Sequence, residues 1–586
     1  MKSDPGREAS SGSLETLWNG FVSPPDSARP RVWWHWMDGN VDLDGIRRDL
    51  AWMHGVGVRG VQVFDGGLGL PSIVEEPVIP GTDRWRDALQ VASKIALDLG
   101  IEFTVATSAG WSASGGPWVK PEDAMRKIVW SQAILASGTD EFPLPALPDS
   151  VGGFQDSPPW GTASSRGYSQ DICVLAIPYD ERHDPHQPAS IRASAEFTGT
   201  ASLIDQSFTE GIQLPRDPDA RSSVWLEQEF RSAVTVRSCE LGIPGPHGFG
   251  AAPPVSAVLE ASADGIDYWT VAEFPSTRVP ARTISFSPVT ATHFRLVLEA
   301  DGLAAAIPPI DAGVVYPPVF RAVTAFHVTQ FALYEASMVS HREVKAGFAA
   351  AAFYDQLDAD ASATAGTVGL DSVIDVTQYV RGNTLQWSPP EGAWRILRFG
   401  STLTGQTNGP AVAEATGLEV DKLDGRRVRE YIDHHLQQYG DIALGGLLSD
   451  SIEAGPQNDT DQMPRKFMER RGYDMLPWFV TIAGLLVEDA ASTDLFLSDF
   501  RLTISELLAE EYYGTLAEVA HENGAIYYAE ALEDHRPQLG DDLAMRSHAD
   551  VPMGAMWTFS PESGPSPTYV ADLKGASSVA HVYDRS

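Results

Sequence analysis

The strongest constraint on the fold is an alternation of strand-like and helix-like segments near the start of the chain. RVWWHWMDGN (31–40) is an apolar run closed by a turn signal. DLDGIRRDLAWMHGVGV follows, with an Asp cap, helical spacing of Ile46, Leu50 and Met53, and a closing Gly55. GVQVFDG then reads as a short buried strand, DRWRDALQVASKIALDLG as an amphipathic helix ended by Gly100, and IEFTVATSAGW as a third strand. A β-α-β-α-β order demands parallel strands joined by helical crossovers. Such sheets carry their chemistry at the C-terminal strand ends. Here those ends hold His35 to Asn40, Asp65, and Ser108 to Trp111.

This grammar stops at about residue 125. From 126 to 390 the helical period nearly vanishes, and short alternating runs replace it: SSVWLEQEF, VTVRSCELGI, VSAVLEAS, YWTVAEF, RTISFSPV, HFRLVLEA and FHVTQFALYEA. Gly, Pro and Asp turns separate them, which suggests an antiparallel β-sandwich. The order WLEQEF, VLEASADGIDYWTVAEF, HFRLVLEA resembles discoidin-like jelly-roll modules, although the same runs suit any antiparallel sandwich.

From about 391 the α/β pattern returns. AWRILRFG, GGLLSDSIEAG, AIYYAEAL and GAMWTF read as strands, and TYVADLKGASSVAHVYDRS as a final helix. Three strands before the insertion and four after it make seven. A closed parallel barrel usually needs about eight. The expected fold is α/β: a (β/α)8-type barrel lacking its last strand, in parts 30–125 and 391–586, interrupted by the sandwich at 126–390. Residues 1–29, rich in Ser, Pro, Gly and Asp, read as a loosely held arm.

Composition narrows the partners. The formal charge of −37 repels phosphate backbones and anionic lipid, so nucleic acid and membrane surfaces are poor candidates. No run of about 18 apolar residues is present, and the first 20 residues lack a signal-peptide pattern. Two cysteines, Cys173 and Cys239, are too few for a zinc site or a disulfide framework. No GxGxxG after a strand, GxxxxGK[ST], HExxH or GxSxG motif occurs.

What stands out is carboxylates at strand tips. Asp450 and Glu453 lie in LLSDSIEAG; Glu530, Glu533 and Asp534 lie in YYAEALEDHRP; Asp65 ends FDG; Glu414 sits in NGPAVAEATG. Glycoside hydrolysis uses such groups. One carboxyl protonates the leaving oxygen, and another acts on the opposite face of the sugar. Their environments must hold their pKa values apart. The plain alternatives are that Asp65 caps a turn, that Glu533 pairs with Arg536, and that Trp33, Trp34 and Trp36 are core residues. His35 is as readily a structural histidine as a sugar contact.

PRVWWHWMDGN with GIRRDLAWM resembles the start of the catalytic domain of glycoside hydrolase family 106, the α-L-rhamnosidases. TLTGQTNGPAVAEATGLEVDKL, LLSDSIEAG, YYAEALEDHRPQLGDDLAMRSHADVPMGAMWTF and ASSVAHVY are similar to further segments of that family. The resemblance implies an inverting hydrolase of terminal α-L-rhamnose, acting on a rhamnose-containing glycan or glycoside, with calcium near the sugar hydroxyls. It also implies a periplasmic or secreted setting, while the sequence itself leaves location and oligomeric state open. Carried onto this chain, Glu453 is the candidate general acid, and Glu530 the candidate base or orienting group. His35, Asp65, Trp111, Glu414, Asp450, His535, Arg536 and Trp557 are candidates for the sugar subsite, and the calcium ligands stay unassigned. Family members continue past the helix resembling ASSVAHVY into a strand whose tip carries another glutamate. The expectation is therefore a fragment whose true base lies beyond Ser586, and which either needs a partner segment or folds with a gap between the first and seventh strands. The rival readings are a related glycosidase of other sugar specificity and a non-catalytic carbohydrate-binding protein.

Overall fold

A computed structural model describes residues 14–138, 140–148, 167–199, 203–205, 208, 210–216, 223–244, 255–277, 280–300, 324–350, 357, 365–532, 539–556, 561–562, 564–565 and 567–585. Its centre is a six-stranded parallel sheet: β1 (Arg31–Met37), β2 (Gly60–Gly66), β3 (Glu102–Ala106), β4 (Gly446–Ser449), β5 (Ile526–Ala529) and β6 (Val551–Pro552). The strands lie in that order, and all five pairings are parallel. Among the described residues the order is open, with β1 and β6 at its ends and no closed barrel.

Helices Leu43–Gly55 and Asp83–Asp98 make the early crossovers. Asp42 and Thr82 cap them, each accepting a backbone N–H from the first turn. Val61, Val63, Phe103, Val105, Leu447 and Tyr527 pack with these helices and with Gly425–Tyr439 in the main apolar core. Phe64, Ala106, Leu448 and Tyr528 form a separate cluster. That split is the two-residue period of a strand, one face toward the helices and the other, here called the inner face, away from them.

Two of the seven expected strands differ. Trp394–Leu403, read as a barrel strand, pairs antiparallel with Arg126–Leu135 on one side and Ser169–Pro178 on the other. Its ten residues are all buried. A continuous apolar run marks a strand covered on both faces but does not say which sheet holds it. GAMWTF is described only over Gly554–Met556, and those residues lie outside the strand. Pairing occurs earlier, at Val551–Pro552, and Gly554–Met556 is irregular. The segment before residue 29 also differs, because Leu14–Val22 is a helix. The spacing of Leu14, Leu17, Trp18 and Phe21 carries that signal, masked by the composition of the wider segment.

Between the two α/β parts, Val224–Gly242, Val255–Ser262, Trp269–Thr277, Ala281–Ala300, Gln330–Tyr334 and Ser190–Ala193 form an antiparallel sheet. The strand pair Ile212–Pro215 and Ala325–Val328 shares its core, which holds Leu214, Leu226, Leu259, Phe294 and Phe326. Cys173 and Cys239 are both buried thiols. No described helix is long and apolar enough to cross a membrane.

Candidate active site

The site is built by strand parity. Trp34 and Trp36 point into the main core, with rings 5.4 Å apart and nearly perpendicular. Trp33 and His35 therefore lie on the inner face, where the rings of both approach Phe64, at 4.4 and 5.6 Å. Trp111, from the turn after β3, meets His35 edge-on at 5.8 Å and also packs on the inner cluster. Desolvation beside these rings lowers the pKa of His35.

Register carries this aromatic row across the sheet. His35 pairs with Phe64, and Leu448 pairs with both Ala106 and Tyr528. Two residues further along each strand, on the same face, stand Asp450 after β4 and Glu530 after β5. The chains stay paired past the strand ends: the Glu530 N–H donates to Ser449 O at 3.0 Å, and the Ile452 N–H to Ala531 O at 2.8 Å. The Ser451 backbone N–H donates to Asp450 Oδ1 at 2.8 Å, and the Asp450 and Ser451 side chains lie close enough to Glu530 to favour its ionised form. The Ser451 hydroxyl also reaches Glu453 Oε1, at 3.5 Å. Asp450 and Glu453 are thus both bonded to Ser451, with Glu530 beside them.

Glu530 is only 5% exposed. Burial, and then the Asp572 carboxylate, push its pKa up to about 7, while Arg546, Asp450 and Ser451 pull the other way. A carboxyl raised in the folded state binds more protons there than in the unfolded chain, so stability falls as pH rises from the ordinary carboxyl range through about 7. Glu530→Gln removes this dependence. Its stability relative to wild type, read from urea midpoints, should be higher at pH 8 than at pH 5. Equal relative stability at both would contradict the shift.

Arg546 holds the far edge of this rim. It is fully buried and binds Asp542 at 2.9 Å, Leu532 O at 3.3 Å, Met553 O and Asp572. It ties the segments after β5 and β6 to helix Pro567–Val582, which carries Asp572.

On the other flank, the loop after Trp394–Leu403 caps β2 and β3. The Gly67 N–H donates to Pro410 O at 3.1 Å, and the Trp111 N–H to Gly409 O at 3.2 Å. A Cβ on Gly67 would lie 2.4 Å from Val412 N, so only glycine permits the approach.

A family model for alpha-L-rhamnosidases, glycoside hydrolase 106, matches residues 22–586. The chain belongs to glycoside hydrolase family 106. A solved rhamnosidase from Novosphingobium sp. PP1Y is 41% identical with a TM-score of 0.83, and the match covers 97% of this chain and 52% of that one. A curated protein from Formosa agariphila, named a putative beta-glucuronidase, is 25% identical over 580 residues, covering 97% of this chain and 34% of its own length. The chain thus spans about half of the rhamnosidase and about a third of the curated relative.

In this family 106 chain the remaining candidates separate. Asp65 shares the face of Trp36, toward the helices, and accepts the Trp85 indole N–H at 3.1 Å. Burial raises its pKa to about 7. It supports the packing behind the rim rather than facing the sugar side. Glu414 is exposed, in the short turn Ala413–Ala415 of the capping loop. His535, Arg536 and Trp557 lie outside the described residues, as do Glu533 and Asp534. Phe64 and Tyr528 also lie on the inner face, and strand parity is the sequence signal that places them there. Arg546 and Asp572 carry no signal in the sequence, because only the fold brings them together.

Calcium takes about six to eight oxygen ligands. Among the described residues no three Asp, Glu, His or Cys side chains are grouped to hold a metal ion.

Proposed function

We propose that this chain carries the acid side of an inverting glycosidase site for terminal α-L-rhamnose, on the inner rim of a (β/α)-type barrel. The observation that carries this reading is the grouping of Asp450, Glu453 and Glu530 around Ser451 beside the row of Trp33, His35, Phe64 and Trp111. A sugar ring needs an apolar surface for its C–H face and acidic groups at its glycosidic oxygen.

Glu453 is the proton donor in this reading. It is partly exposed, unlike buried Asp450 and Glu530, so it is the member of the group open to a substrate. Asp450 accepts the Ser451 backbone N–H and so positions Ser451 and, through it, Glu453, with Glu530 packed beside them. Inversion also needs a base about 6.5–9.5 Å from the acid, with a water between it and the anomeric carbon. The low exposure of Glu530 suits a positioning group better than a base. The resemblance to family 106 favours a carboxylate outside the described residues for the base. The antiparallel sheet and its partner strand pair fit the jelly-roll reading of the inserted region.

A panel of aryl glycosides tests the substrate, and it includes the β-glucuronide because of the name of the Formosa relative. The expected result is release from the α-L-rhamnoside. Release from another glycoside alone would reject rhamnose specificity. Rhamnose binding with no release from any substrate would make the chain a carbohydrate-binding protein.

A further inference from the structure

A buried tyrosine lies behind the rim and is bonded to both of its halves. The helix Ala490–Leu507 widens into a π-helical turn over Leu508–Gly514, and the helix Thr515–Glu522 follows it. Wide turns of this kind are rare and occur often at functional sites. The turn carries Tyr512 and Tyr513, both fully buried, with rings 5.0 Å apart and nearly perpendicular. The Tyr512 hydroxyl donates to Ala113 O at 2.5 Å. A phenol has a single hydrogen to give, so the Ser449 hydroxyl, 3.3 Å away, donates to the Tyr512 oxygen in turn. Burial raises the pKa of this phenol, which keeps it a protonated donor at neutral pH.

The two partners belong to different halves of the site. Ala113 follows Trp111 in the loop after β3. That loop is also closed on itself: Thr107 Oγ1 donates to Ala113 O, and Ser108 Oγ to Ser112 O, both at 2.7 Å. Ser449 is the last residue of β4 and directly precedes Asp450. By strand parity its side chain lies on the helix-facing side, as that of Leu447 does. From Asp450 the contacts run through Ser451 to Glu453. One hydroxyl therefore ties the aromatic wall to the acidic group from behind. A second tyrosine, Tyr431 on the helix Gly425–Tyr439, grips the same loop. It donates to Thr107 O at 2.6 Å and accepts the Gly115 N–H at 3.0 Å, so both of these bonds end on the loop after β3.

We infer that Tyr512 is a positioning residue for the proton donor: through Ser449 and Ala113 it holds the tip of β4, with Asp450, Ser451 and Glu453, against the wall that carries Trp111. The inference rests on the proposed rhamnosidase reading. Tyr512 itself touches no substrate, because it is fully buried behind the strand tips. A glycosidic oxygen held by the wall must meet the acid at hydrogen-bond distance, and a displacement of about 1 Å between the two costs about 10²-fold in rate.

Tyr512→Phe tests this, since it keeps the ring and removes the hydroxyl. The Ala113 carbonyl keeps its bond from Thr107. The expected result is a fall of about tenfold or more in kcat for an alkyl α-L-rhamnoside, with KM little changed, and a far smaller fall for the dinitrophenyl rhamnoside. In a Glu453→Gln background the same substitution should add little, because the group it positions no longer donates a proton. Tyr431→Phe, which removes another buried hydroxyl from the same loop, should show no such dependence on the leaving group. If Tyr512→Phe gives no cooperative urea transition, Ser449→Ala removes the other end of the bond and decides by the same readouts. A wild-type rate in Tyr512→Phe, equal losses for the two leaving groups, or a loss that multiplies with that of Glu453→Gln would overturn the inference alone. The same leaving-group pattern in Tyr431→Phe would make it a general effect of loosened packing and would overturn it too. Release of no rhamnose by wild type would overturn the proposed function, and the inference with it.

Discussion

Glu453→Gln slows hydrolysis of an α-L-rhamnoside with a poor leaving group by about 10²–10⁴-fold, the usual contribution of general acid catalysis. The substitution keeps the size and shape of the side chain and removes its acidic proton. Gln still accepts from the Ser451 hydroxyl, so the link through Ser451 to Asp450 survives. The loss should depend on the leaving group. A dinitrophenoxide departs without protonation, so its rhamnoside should lose far less than a methyl or alkyl rhamnoside. The alkaline limb of the pH profile should also flatten, because the group whose ionisation ends activity is gone. A loss below about tenfold, or an equal loss for good and poor leaving groups, would remove Glu453 from the acid role and leave it a structural contact.

The largest stability effect is expected at Arg546. Arg546→Met fills much of the same volume but leaves Asp542 and Asp572 without their cation. Breaking a buried pair by removing one partner costs about 3–5 kcal/mol, because the remaining charge is uncompensated. Two backbone carbonyls, of Leu532 and Met553, lose their donor as well. These carbonyls follow β5 and β6, so the damage falls on the edge of the rim and reaches Glu530 through the loss of a nearby positive charge. The measurement is the urea midpoint together with the rhamnosidase rate at a temperature where the variant is folded. An unchanged midpoint would show that the Arg546 network is not a support of the rim.

The parallel half of the fold was legible because its signals are local. Asp42, Ile46, Leu50 and Met53 announce one helix, and DRWRDALQVASKIALDLG the next. The alternation between them fixes the strand direction. The strand-tip carboxylates followed from the same logic, and Asp450, Glu453 and Glu530 do come together. Asp65 ends its strand on the helix-facing side, which a strand tip read without its parity does not reveal. Val63 and Asp65 share the helix-facing side, while Phe64 faces inward. Trp394–Leu403 was misplaced for a different reason. A strand buried on both faces has the same sequence in either sheet, and only long-range pairing with Arg126–Leu135 and Ser169–Pro178 decides. The Arg546–Asp572 contact depends on segments that meet only in the folded chain.

A crystal structure of the Glu453→Gln chain soaked with a rhamnoside addresses the central claim most directly. The account predicts a sugar ring against Trp33, His35 and Trp111, with its glycosidic oxygen within hydrogen-bond distance of the residue at position 453. A rhamnoside bound elsewhere, with residue 453 turned away from it and the strand-end rim empty, would contradict it.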